Sequence, residues 1–172
     1  MPALTGLWRN RNFLKLWTGE SISIFGSLVG RTALPFTAIL VLDAGPLQIA
    51  LLSAAELIPA FLSGPFVGVW VDRLRRRPIM IFADIGRFAL LGTIPLAHLF
   101  DALTMGQLYA VAFFVGILTI SFDVAYMSYL PTLVEKDQLL EGNSKLAASS
   151  SIAEVGGFSL SGWLVQLITG PV

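Results

Sequence analysis

The chain has 172 residues, 55% of them hydrophobic and only 13% charged, with a formal net charge of zero and a mean hydropathy of +0.78. Too few charges are present to cover a soluble domain of this size, so lipid is the natural solvent. The zero balance gives nucleic acid no electrostatic footprint, and the lack of cysteine excludes disulfides, thiolate metal sites and thiol catalysis.

In chain order, residues 1–12 form a short polar, basic lead-in. The first apolar run, about 13–41, is too long for a signal-peptide core and is expected to be a retained helix that crosses with tilt. Pro35 is placed to kink its outer part. Asp43-Ala-Gly-Pro46 closes the run as a tight turn. A second helix is expected over about 47–71 and a third over about 78–99, with Pro78 suited to a first helical turn. Asp101 and Gly106 mark the next turn, and a fourth helix, about 107–130, is expected to stop near Pro131. A charged connector with Glu135, Lys136, Asp137 and Glu141 leads to a fifth helix, about 144–169, ended by Gly170-Pro171. The expected fold is an all-α membrane protein with five transmembrane helices.

Basic residues outside the spans fall on alternate turns. Arg9, Arg11 and Lys15 precede or open the first span; Arg73, Arg75, Arg76 and Arg77 join the second to the third; Lys136 and Lys145 flank the start of the fifth. The turns around Asp43, Asp101 and Gly170 carry none. This bias places the N-terminus and the arginine turn in the cytoplasm, for a multi-pass protein of the plasma (inner) membrane.

Glu20, Arg31, Glu56, Asp84, Arg87, Asp123 and Glu154 are left at membrane depth. A charge at the bilayer centre costs roughly 2.5–3.5 kcal/mol on insertion scales, so these residues must face one another or a wet cavity. Glu20, Ser23, Ser27 and Arg31 recur at helical spacing as one polar stripe. Arg31 and Glu56 fall at similar depth on adjacent helices, either as a structural ion pair or as part of a translocation path. Asp84 and Arg87, three apart, are expected to pair locally toward the inner end of the third helix. Glu20 and Glu154, on stripes of helices expected to border a cavity, are the candidate proton carriers. Gly26/Gly30 and Gly64/Gly68 are spaced for close helix packing. His98, at an expected outer helix end, reads as an interface residue, and no metal site is expected.

Gly68 to Arg77 reads Gly-Val-Trp-Val-Asp-Arg-Leu-Arg-Arg-Arg. It resembles the signature loop of the major facilitator superfamily, Gly-x-x-x-Asp-Arg-x-Gly-Arg-Arg/Lys, between the second and third helices. Arg75 stands where the family has its second glycine, so the turn either holds an arginine at positive φ or is shaped differently. The resemblance implies a twelve-helix fold of two six-helix halves. This chain would supply five helices of the N-terminal bundle, as an N-terminal fragment, with the C-terminal half of the same transporter as its missing partner. It also implies gating roles for Gly68, Asp72, Arg73, Arg76 and Arg77, with Asp123 completing an Asp72–Arg76–Asp123 chain.

Arg31-Thr-Ala-Leu-Pro35, the arginine turn and Leu130-Pro-Thr-Leu-Val134 together look most like the bacterial efflux branch that exports drugs, macrolides or siderophores. Gly157-Phe-Ser-Leu-Ser-Gly162 resembles an element of the family's antiporters, with Phe158 and Ser161 in place of a proline and a glycine. The implied function is proton-coupled efflux of a small-molecule substrate by alternating access, in contact with the lipid bilayer and without a cofactor. No Gly-x-x-x-x-Gly-Lys-Ser/Thr loop is present, so ATP drive is not expected, nor is an enzyme. The alternative is a non-transporting membrane scaffold or regulatory module.

Overall fold

An apolar run in hydrocarbon must satisfy its backbone internally, and a helix does so within one segment. The computed structural model describes Leu7, residues 11–133, Gln138 and residues 140–152, and of residues 12, 25, 29, 60–73 and 130 the backbone alone. Its helices are α1 (Arg11–Leu42), α2 (Pro46–Arg73), α3 (Arg76–Leu99), α4 (Met105–Leu133) and α5 (140–152). No strand occurs among the described residues. Phe13–Leu42, α3 and α4 are each long and apolar enough to cross a membrane. Even α3, with 24 residues, reaches about 36 Å at 1.5 Å per residue, against a hydrocarbon core of about 30 Å.

The helix ends follow local chemistry. Pro46 opens α2, where its missing N–H costs nothing, and Gln48 Oε1 accepts from the Gly45 N–H at 2.8 Å. Thr104 Oγ1 accepts from the Gln107 N–H at 3.3 Å at the start of α4. The turns after α1 and α3 are made by aspartates rather than glycines: Asp43 has φ 49° and Asp101 φ 50°. A short polar side chain tolerates this left-handed conformation better than most. After Asp101, the Ala102 N–H returns to the Ala97 carbonyl at 2.9 Å and closes the end of α3.

Two helix ends differ from expectation. α4 runs through Pro131 to Leu133 instead of stopping before the proline. A proline in a last turn frees a single carbonyl, here that of Met127, so the helix survives it. α5 is already helical at residue 140, ahead of the expected start near Ser144. Glu141 and Lys145 pair at 2.6 Å one turn apart, with the acid on the favoured N-terminal side.

The chain divides into two compact units, Met1–Thr32 with Leu130–Val172, and Ala33–Tyr129. In the first, Trp17 Nε1 donates to Ser149 Oγ at 2.7 Å, tying α1 to α5, and Leu7, Phe13, Leu16 and Leu146 are buried. The core of the second combines Leu34 and Ala38 of α1, Leu52 of α2, Ile94 of α3, and Leu108, Val111 and Ala112 of α4. Near the turns after α1 and α3, Gln107 Nε2 donates to the Thr93 carbonyl at 3.2 Å and the Tyr109 hydroxyl to the Gln48 carbonyl at 3.4 Å.

α3 is turned inside out relative to a soluble helix, whose apolar face is buried and polar face exposed. Here Arg87 is 7% exposed, whereas the adjacent Phe88 is 80% exposed. Phe82, Ile85 and Leu99 are exposed with it. Such a surface suits hydrocarbon.

Candidate functional site

The arginine turn is two residues long. α2 ends at Arg73, Leu74 and Arg75 connect, and α3 begins at Arg76. Arg75 has φ −71° and ψ 121°, an ordinary extended conformation. The turn is therefore shaped so that this position needs no glycine, which is how an arginine comes to occupy it. Arg75 lends no side-chain cap to α3, whose first turn holds no acid. The helix N-terminus and Arg76 and Arg77 thus add positive potential at one place, a setting that favours a carboxylate.

The expected gating residues are distributed along these elements. Gly68, Asp72 and Arg73 lie in the last turns of α2, with side chains outside the described residues. Arg76 is half-buried and Arg77 exposed. The Arg76 Nε is shielded from solvent and has no hydrogen-bond acceptor among the described residues. Asp123 is exposed on α4. Among the described residues no ion pair joins Arg76 to Asp123.

The charges expected at membrane depth fall on both units. Glu20, on α1 in the first, is half-buried with its Oε2 shielded. Arg31, in the same unit, is exposed, and Glu56 of α2 in the second is half-buried. Glu154 lies outside the described residues. Asp84 and Arg87 do meet, Arg87 Nη2 donating to Asp84 Oδ1 at 2.5 Å. The Arg87 guanidinium also lies 4.9 Å from the centre of the Phe122 ring, which stacks on Tyr126 with centroids 6.3 Å apart. This arrangement links α3 to α4 through a cation–π contact.

Three features had weak sequence signals. Phe122 is indistinguishable from any apolar residue of a span until Arg87 is placed over it. Gly116, buried on α4, leaves no room for a side chain against the α2 backbone at Glu56. An isolated glycine within a helical run is the signal that could have found it. At the connector end of α5, Glu141 accepts from Lys145 and from the Leu7 N–H, and these bonds hold its carboxyl below the usual range.

The sequence profile of the Major Facilitator Superfamily matches residues 17–171, from α1 through the last residues of the chain. The chain belongs to the major facilitator superfamily. That family consists of membrane transporters, not enzymes, and its helical bundle accounts for the all-helical, multi-pass fold. Among curated superfamily proteins, the chain is 23% identical over 164 residues to an uncharacterized MFS-type transporter, YvqJ, of Bacillus subtilis (strain 168). That alignment covers 95% of this chain and 38% of the relative. A second uncharacterized MFS-type transporter of the same organism, YfiS, is 33% identical over 82 residues, covering 47% of this chain and 20% of the relative. The chain thus spans well under half the length of these superfamily members. No solved structure gives a significant match.

Proposed function

We propose that this chain is the N-terminal part of a proton-coupled secondary transporter that exports small molecules from the cell by alternating access. The supporting observation is the family match, which runs across a turn with Asp72, Arg73, Arg76 and Arg77 at the junction of α2 and α3. The remaining helices of the transporter form the partner half, and the assembly sits in the plasma membrane with its N-terminus and arginine turn in the cytoplasm. Asp72 and Gly68 form one side of a cytoplasmic latch. Arg76, whose Nε lacks an acceptor among the described residues, orients Asp72 and, in the latched state, engages Asp123. Arg73 and Arg77 hold the turn at the membrane surface.

Glu20, Arg31, Glu56 and Glu154 line the translocation path, with Arg31 and Glu56 compensating each other. Glu20 and Glu154 carry the proton. The test reconstitutes the full-length protein in vesicles with an internal pH dye and presents a panel of lipophilic drugs, macrolides and siderophores under an imposed pH gradient. Drug-dependent proton flux is expected, abolished by Glu20→Gln or Glu154→Gln. No substrate-dependent flux across the panel defeats proton-coupled export, and flux retained in both variants removes the two acids from the coupling.

A further inference from the structure

Beyond its first turn, α4 carries one glycine, Gly116, and it is buried. A Cβ built there collides with the Glu56 carbonyl oxygen and lies 3.3 Å from both the Glu56 carbonyl carbon and Pro59 Cγ. The obstructing atom is backbone, so no rotamer change relieves it. α2 is also unusual at this point. Pro59, fully buried, has no N–H to give the Ala55 carbonyl, and its ring crowds that carbonyl, which weakens the turn. Glu56 lies within this incompletely bonded turn, the place where α4 touches it.

Gly86 on α3 provides a contrast. A Cβ there comes 2.7 Å from Leu118 Cδ1, the far end of a flexible side chain. Leucine can move aside; a helix carbonyl carries its whole helix with it.

We propose that Gly116 is a positioning residue for Glu56: its missing side chain seats the proline-interrupted turn of α2 directly on α4 and so sets where the Glu56 carboxylate lies. That Glu56 lines the translocation path rests on the functional reading above; the seat itself does not. Adding a methyl group at position 116 pushes the Ala55–Pro59 turn off α4 and moves residue 56 into a different environment.

The test uses a cysteine-free version of the full-length protein carrying Glu56→Cys, and measures maleimide labelling across pH. The rate reports access to the introduced thiol, and the midpoint of its pH profile reports the surroundings. Gly116→Ala is expected to shift that midpoint by about one pH unit, a tenfold change in the ionisation equilibrium. Gly86→Ala is expected to leave it in place. Should Gly116→Ala yield no folded protein, Pro59→Ala takes over. It removes the ring from the seat, returns an N–H to the Ala55 carbonyl and is expected to move the midpoint as well. A merely structural role for Gly116 lowers the yield of folded protein and leaves the midpoint of what remains unchanged. That result overturns the proposal, as does an equal shift in Gly86→Ala. Transport by Glu56→Gln separately decides whether Glu56 serves the path, whatever the labelling shows.

Discussion

Replacing Arg87 by leucine removes the one charged side chain that is buried among the described residues of the second unit. The guanidinium holds Asp84 Oδ1 at 2.5 Å and lies 4.9 Å from the Phe122 ring centre. It sits roughly 16 Å along the axis from Arg76 at 1.5 Å per residue, about halfway along α3. Losing the cation–π contact costs about 1 kcal/mol, and depriving the Asp84 carboxylate of its charge-assisted hydrogen bond costs about 2 kcal/mol. Arg87→Leu is therefore expected to destabilise by about 3 kcal/mol, as is usual for breaking a buried pair.

Asp84→Leu leaves the guanidinium buried but still over an aromatic face, and is expected to cost about 2 kcal/mol. The double variant carries neither lone charge and is expected to cost no more than about 2 kcal/mol, which corresponds to a coupling of about 3 kcal/mol. Reversible unfolding in mixed detergent micelles, followed by tryptophan fluorescence, measures all three. Additive losses, with the double variant near 5 kcal/mol, would refute an energetic pair and reduce the contact to proximity.

Arg75 already has an extended backbone, so restoring the family's glycine is expected to destabilise by about 0.5–1 kcal/mol through chain entropy. A rise in melting temperature of Arg75→Gly would contradict this. The Glu141 carboxyl is held below its ordinary value of 4.5 by Lys145 and the Leu7 N–H. Its folded-state pKa is depressed, so its contribution is present above pH 4.5 and is lost as pH falls through the folded value. Glu141→Gln should accordingly flatten the acid limb of the melting curve and leave any higher-pH dependence unchanged; an unaltered acid limb argues against the contact. Arg75→Cys is expected to resist impermeant thiol reagents added to intact cells and to react once the membrane is opened. Labelling from outside reverses the proposed orientation.

The span-forming runs were legible because length and hydropathy alone fix them: a run such as Met105–Leu133 has few alternatives in lipid. Their ends were less so. Proline signals a helix stop in sequence, yet Pro131 falls where only one carbonyl is freed, and Pro35 and Pro95 lie inside continuous helices. Glycine signals a turn, yet Asp43 and Asp101 adopt the left-handed conformation, while Gly45 and Gly106 beyond them do not. Asp84 and Arg87 were legible as a pair because helical spacing is a local property. Contacts between helices depend on rotation about each axis, which hydropathy leaves undetermined. Phe122 beneath Arg87 and Gly116 against α2 emerged only once the helices were packed.

The connection between α2 and α3 ties two helix ends to one face of the membrane. Two residues, Leu74 and Arg75, separate the helices. Each extended residue spans at most about 3.6 Å, so the adjoining helix ends cannot part by more than roughly 11 Å over three links. The link is far shorter than the bilayer is thick, so it cannot itself cross, and the two adjoining helix ends are held at one face. Whichever face retains the four arginines therefore retains both helix ends. A flexible linker spliced between Leu74 and Arg75 would release that restraint and let the two helix ends part.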